Sequence, residues 1–176
     1  MNPQDIMTAF AQYGFRKTSM EDIARAVGLS RQSIYKKFGS KDACYAWALR
    51  AYTEALYQHV FALLDQAENA PMAVVETALI SVVGDSVELA ESRHGSELLE
   101  DALAVASAQP ENWPSLYAQK LGAFILRHDL AATPERAQDL AHILITATRG
   151  ALVVASSREA FARDIRRILR GVFGDP

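Results

Sequence analysis

Three glycine stops, at Gly14, Gly28 and Gly39, fall within the first forty residues, and each is followed within five residues by a Ser or Thr able to open a helix. No other feature of the sequence restricts the fold so much. Ile6, Phe10 and Tyr13 recur at helical spacing, and Gly14 supplies the stop. Thr18-Ser19-Met20-Glu21-Asp22 offers two overlapping capping boxes, Thr18 with Glu21 and Ser19 with Asp22. A short second helix follows and ends at Gly28, and Ser30 caps a third that runs to about Phe38. Ser40 then caps a much longer helix starting at Lys41-Asp42. Three helices this short reach stability only by packing together, and the sequence predicts a small core of Phe10, Tyr13, Phe15, Ile23, Val27, Leu29, Ile34 and Phe38.

Beyond Lys41 the rhythm slows. The pattern predicts helices to about Gln66, from Asn69-Ala70-Pro71 to near Glu91, over Gly95–Ser107 and over Ser115–His128. Two more cover Glu135–Ala155, with Thr133 as cap and Pro134 at the first position, and the stretch after Ser156 or Ser157. There Phe161, Ile165, Ile168 and Val172 form one apolar stripe. No alternating strand pattern or internal repeat interrupts this, so the expected fold class is all-α, with about nine helices. The single Cys in 176 residues leaves no disulfide framework and no Cys-rich metal site; Cys44 reads as an ordinary small helix residue. His59, His94, His128 and His142 are scattered without metal-ligand spacing, and no phosphate loop or catalytic grouping is present. The expectation is a non-enzyme without cofactor or metal. The opening residues lack a signal-peptide core, and the longest apolar stretch, Leu140–Ala155, is interrupted by His142 and Arg149; a cytoplasmic protein with no membrane association is expected.

The charge is unevenly spread. Residues 1–50 carry eight bases against four acids, whereas the remainder holds ten bases against seventeen acids. A basic first third on an acidic body suggests that one end meets a polyanion. Helix, glycine turn and helix over Met20–Phe38 have the layout of a helix-turn-helix, with Ala24 small where the helices approach. With Ile34 facing inward, Gln32 and Lys36 both lie about 160° away at ~100° per residue, pointing out toward a major groove, with Ser33 and Tyr35 on the flanks.

Phe15-x-x-Thr18-Ser19-Met20-x-x-Ile23-Ala24-x-x-Val27-Gly28-Leu29-Ser30, followed by Ile34-Tyr35-x-x-Phe38-x-Ser40-Lys41, resembles the DNA-binding domain of the tetracycline-repressor-like (TetR/AcrR) regulators. The resemblance implies a helix-turn-helix domain at 1–41 and a ligand-binding and dimerisation domain at 42–176. It implies a homodimeric repressor on a palindromic operator in double-stranded DNA. Lys37 stands where many members carry His, and few residues precede Ile6, so the basic N-terminal arm of some members is not expected.

Within this motif Gln32 suits adenine readout, and Arg31 suits guanine or backbone. Tyr35, Lys36, Lys37 and Lys41 suit phosphate, and the capped helix start at Thr18-Ser19 can present N–H groups to phosphate. The small and apolar residues of Leu140–Ala155 call for a second packing partner, which the resemblance makes another subunit held through Glu135–Ala155 and Arg158–Val172. An apolar or aromatic effector is expected in a pocket drawing on Trp47, Tyr52, Trp113, Tyr117 and Phe124, with His94, Gln119 and His128 as polar groups. The helix starting at Lys41 is the expected lever. The alternatives are a DNA-binding regulator controlled by a protein partner instead of a small ligand, and an all-α enzyme with an accessory helix-turn-helix.

Overall fold

The structure is a computed structural model that describes residues 1–83, 87 and 92–174. Nine helices and no strand occur among the described residues: α1 Pro3–Lys17, α2 Met20–Ala26, α3 Arg31–Phe38, α4 Lys41–Gln66, α5 Pro71–Ser81, α6 Gly95–Ser107, α7 Trp113–Arg127, α8 Pro134–Val154 and α9 Arg158–Phe173. Most starts are chemically marked. Asn2, Ser19, Ser30, Asn112, Thr133 and Ser157 each accept a backbone N–H of the first turn, and the Ser40 Oγ does the same for α4. The helix expected to run from Pro71 to near Glu91 stops at Ser81 and turns at Val82-Val83; the end near Glu91 lies outside the described residues.

The chain divides into two compact units, Met1–Ala55 with Leu89–Ala108, and Leu56–Glu88 with Gln109–Pro176. In the first, α1 packs on α2 and α2 on α3. Ile6, Met7, Phe10, Ile23, Ile34 and Cys44 are fully or almost fully buried. Phe10, Phe15 and Tyr45 form an aromatic trio, with Tyr45 centred 4.7 Å from Phe10 and 5.1 Å from Phe15. Two expected core residues lie elsewhere: Tyr13 is 42% exposed and Leu29 45% exposed. The buried face of α1 centres on Ile6, Met7, Phe10, Ala11 and Gly14, and Tyr13 lies about a quarter-turn from that centre, at its edge, while Leu29 sits in the turn after Gly28 with its N–H tied back to the Ala24 carbonyl. Val27 and Phe38 are half-buried.

A second correction concerns the caps. Thr18 does not pair with Glu21; its hydroxyl and N–H both donate to the Gly14 carbonyl, at 2.8 and 3.1 Å. Thr18 therefore closes α1, and Ser19 with Asp22 alone forms the capping box of α2. Gly14 makes this possible with φ +76° and ψ 155°, a region nearly closed to residues with a Cβ.

Also in the first unit, α6 packs against α1. The His94 N–H donates to the Ala11 carbonyl at 3.0 Å, and the His94 ring occupies the space where a Gly14 Cβ would project. The Tyr45 hydroxyl reaches Asp101 Oδ2 at 2.5 Å.

The second unit is built on the extensive packing of α7 against α8, with α9 against α8 and α5. Its core contains Leu64, Leu79, Leu121, Phe124, Ile125, Leu144, Phe161 and Ile165. Between these two helices the Gln138 side-chain amide lies against Gly122, in the space that a Cβ there would take. The Arg127 guanidinium donates to the Leu64 carbonyl at 2.6 Å, and Lys120 pairs with Asp65 at 2.7 Å.

Candidate nucleic-acid interface

On α3, Ile34 alone is fully buried, whereas Arg31, Gln32, Ser33, Tyr35, Lys36 and Lys37 are exposed. One anchor therefore frees the rest of an eight-residue helix for a ligand. The turn before it is set by Gly28 at φ +66° and by the Ser30 cap, whose Oγ accepts the Ser33 N–H at 3.1 Å and lies 2.8 Å from the Ser33 hydroxyl. The Arg31 guanidinium stands 5.3 Å above the Tyr35 ring, and its hydrogen bond with that side chain, then the charge interaction, raise its pKa further. Lys37 lies over Phe38 and Trp47, at 5.5 and 5.2 Å. Gln32 and Lys36 face away from Ile34, as the helical spacing predicts.

The start of α2 borders this surface. Ser19 is exposed, with its hydroxyl 2.6 Å from Asp22 Oδ2. Thr18 is 2% exposed and its hydroxyl is committed to Gly14. Lys41 also differs from the other lysines. Its Nζ donates to the carbonyls of Phe15 and Arg16, at 2.7 and 3.2 Å, and lies 4.6 Å from the Phe15 ring centroid. That ammonium caps the end of α1.

The residues expected to line an effector pocket are distributed over two units. Trp47 belongs to the first, 5.2 Å from Phe38, as does His94 at the start of α6; Tyr52 is buried in α4. In the second unit, Trp113 and Tyr117 lie 5.8 and 6.5 Å from Tyr57. The Phe124 and His128 rings lie 4.3 Å apart and tilted, toward the other end of α7. Gln119 offers its carbonyl to Gln138. The sequence reading missed Tyr57, and also Thr148, which is 1% exposed; the i, i+4 pair Tyr57-Phe61 was the available signal. It missed the α6 contacts too, for which no local pattern exists. Burial pushes the Cys44 thiol up to about 11, so it stays protonated at neutral pH. Among the described residues no His, Cys, Asp and Glu group could hold a metal ion, and no helix is long and apolar enough to cross a membrane.

Comparison with known proteins bears on this surface. The profile described as "Bacterial regulatory proteins, tetR family" matches residues 6–46, which includes α2, the turn and α3. The HTH-type transcriptional regulator YezE of Bacillus subtilis is 36% identical over 45 residues, 26% of this chain and 23% of that protein; the match thus spans under a quarter of the curated relative. A TetR-family protein of Mesorhizobium loti shares the fold at TM-score 0.65 and 18% identity, over 97% of this chain and 92% of that one. A cysteine mutant of the TetR-family transcriptional regulator CifR, crystallised with a 26-base-pair operator duplex, shares it at TM-score 0.56 and 20% identity, over 96% and 93%. Residues 6–46 of this chain are thus similar to the bacterial regulatory proteins of the tetR family, and its helical fold is that of the solved TetR-family structures.

Proposed function

We propose that the chain is a sequence-specific, DNA-binding transcriptional regulator that acts as a homodimeric repressor and is released from a palindromic operator by a small apolar or aromatic effector. The observation that carries the DNA-binding part is α3: one buried anchor, Ile34, and an outward face of Arg31, Gln32, Tyr35, Lys36 and Lys37. Such a face has no role in the core and matches what a major groove requires, with Gln or Arg for base edges and lysines for phosphates. CifR, which shares the fold, was crystallised on operator DNA.

The dimer reading rests on α8. Ala137, Leu140, Ala141, Leu144, Thr148 and Ala151 are buried, while the opposite side exposes Ile143 and Gly150, and Val153 and Val154 are 84% and 75% exposed. Apolar side chains that exposed, beside a glycine allowing close approach, suit a second copy of the helix. Effector control would run through α4, which among the described helices contributes residues to both units, and it requires the effector to bind one state better than the other.

The test is selection of binding sites from a random duplex pool, followed by affinity measurement across salt concentrations. The expected result is an enriched palindrome with half-sites about one helical turn apart. Equal affinity for every duplex would overturn sequence-specific regulation.

A further inference from the structure

Two lysines of the first unit are held in opposite ways. The Lys41 ammonium donates to the Phe15 and Arg16 carbonyls and is committed to them. Among the described residues the Lys37 ammonium makes no hydrogen bond or ion pair, and its neighbours are the rings of Phe38 and Trp47, centred 5.5 and 5.2 Å from Nζ. Those rings lie 5.2 Å apart and tilted by 49°; both are half-buried, whereas Lys37 is exposed. The Lys37 charge also acts on the Cys44 thiol, one turn before Trp47 on α4. The helical spacing explains why Lys37 needs a support. It follows Ile34 by three residues, so it leaves α3 only about 60° around from the buried anchor, whereas Lys36 points almost directly away. A long stem at that boundary samples many rotamers, and few of them carry its ammonium toward a ligand on the outward face.

We propose that Trp47 is a positioning residue for DNA: with Phe38 it holds the Lys37 ammonium at the edge of α3 for a backbone phosphate, without touching DNA itself. The inference rests on the DNA-binding reading above and adds to it a residue of α4, outside the helix-turn-helix and one position beyond the residues that the tetR profile matches. It gives Trp47 a task other than lining an effector pocket. The physical reason is that a ring attracts a cation through its face. The ammonium is thereby held in place while its N–H donors stay open to phosphate oxygens. A carboxylate at the same position would instead neutralise the charge and occupy those donors. Because the rings hold the ammonium before DNA arrives, less rotamer freedom is lost on binding.

The experiment measures the affinity of the full chain for a mixed-sequence duplex and for the enriched palindrome across salt concentrations, in Lys37→Ala, Trp47→Leu, Trp47→Phe and the double variant Lys37→Ala with Trp47→Leu. Lys37→Ala should lower the salt slope by about one unit. Trp47→Leu, which keeps apolar bulk and loses the ring, should weaken binding to both duplexes roughly fivefold, and Trp47→Phe should restore most of that loss. In the Lys37→Ala background Trp47→Leu should have no further effect, since the two residues act as one unit. A loss of equal size with and without Lys37 would make Trp47 a packing residue and overturn the proposal. So would unchanged affinity in Trp47→Leu, or a gain, which would make the ring a brake that keeps Lys37 off DNA. A second measurement leaves Trp47 intact: Trp113→Phe makes it the one tryptophan of the chain, and adding Lys37→Ala should then shift its emission. Unchanged emission would overturn the ring contact. A parent chain that binds neither duplex would overturn the DNA-binding reading itself; a parent that binds, with an unchanged salt slope in Lys37→Ala, would leave that reading standing and overturn this one.

Discussion

Gly14 and Gly28 both have positive φ, at +76° and +66°, yet a Cβ would meet different surroundings at the two positions. At Gly28 nothing lies within 4 Å of it, so Gly28→Ala should cost only the left-handed backbone, about 1 kcal/mol. At Gly14 the backbone region alone costs roughly 1–3 kcal/mol for a residue with a side chain, and the Cβ would sit 3.0 Å from the His94 ring. Urea unfolding should therefore rank Gly14→Ala as the more damaging, and adding His94→Ala should recover only the steric part. Equal costs at the two glycines would contradict this. The lysines also separate. Lys36→Ala and Lys37→Ala should each flatten the salt dependence of DNA binding by about one unit of slope with little loss of stability. Lys41→Ala should lower stability as well, because its ammonium holds the Phe15 and Arg16 carbonyls. Gln32→Ala should weaken preference at one base position by ~1–3 kcal/mol if its amide reads adenine, measured by competition among single-base operator variants.

At the scale of helices, α2 depends on its first turn. Ser19→Ala removes one half of a reciprocal cap and should cost about 1 kcal/mol. The pKa of Asp22 is lowered, chiefly by the Ser19 hydroxyl, then by the Ser19 N–H. A carboxyl whose folded pKa is depressed contributes stability that is fully present above its unfolded value and lost as pH falls through the folded one. Acid titration of the wild type and Asp22→Asn should accordingly converge in stability only below the ordinary aspartate range; a constant gap down to low pH would exclude the cap as its source. Helix α6 is tied to the N-terminal unit by Tyr45 and Asp101. Tyr45→Phe breaks that bond and should speed amide exchange in α6 while α2 stays protected. Exchange unchanged in α6 would mean that apolar packing on α1 suffices.

At the scale of the whole molecule, the proposed dimer makes Gly150 informative. A Cβ there meets nothing within 4 Å, so Gly150→Glu should leave the unfolding of a single subunit nearly unchanged. Sedimentation should nevertheless find it monomeric where the parent is dimeric, with palindrome affinity lost together with the second reading head. A parent chain that sediments as a monomer at micromolar concentration would exclude the dimer.

The helices, their caps and the outward face of α3 were legible in the sequence because they are local properties. A Ser or Thr cap acts within three residues, a glycine stop at a single residue, and a facing direction follows from 100° per residue. Tertiary structure decided whatever required the approach of distant segments. Thr18 spent its hydroxyl on Gly14, not on Glu21, because the kink at Gly14 brought that carbonyl within 2.8 Å. Tyr13 reached solvent because it lies at the edge of the buried face of α1, and Leu29 because it sits in the turn after Gly28. Lys41 turned inward because the end of α1, some twenty-five residues earlier, offered carbonyls without helical partners. Gly95–Ser107 was readable as a helix, but nothing in its own residues placed it on the N-terminal unit, nor gathered Tyr57 with Trp113 and Tyr117. A helix pattern records which side is apolar, whereas the partner for that side is selected by the shapes and volumes of segments far away in the chain.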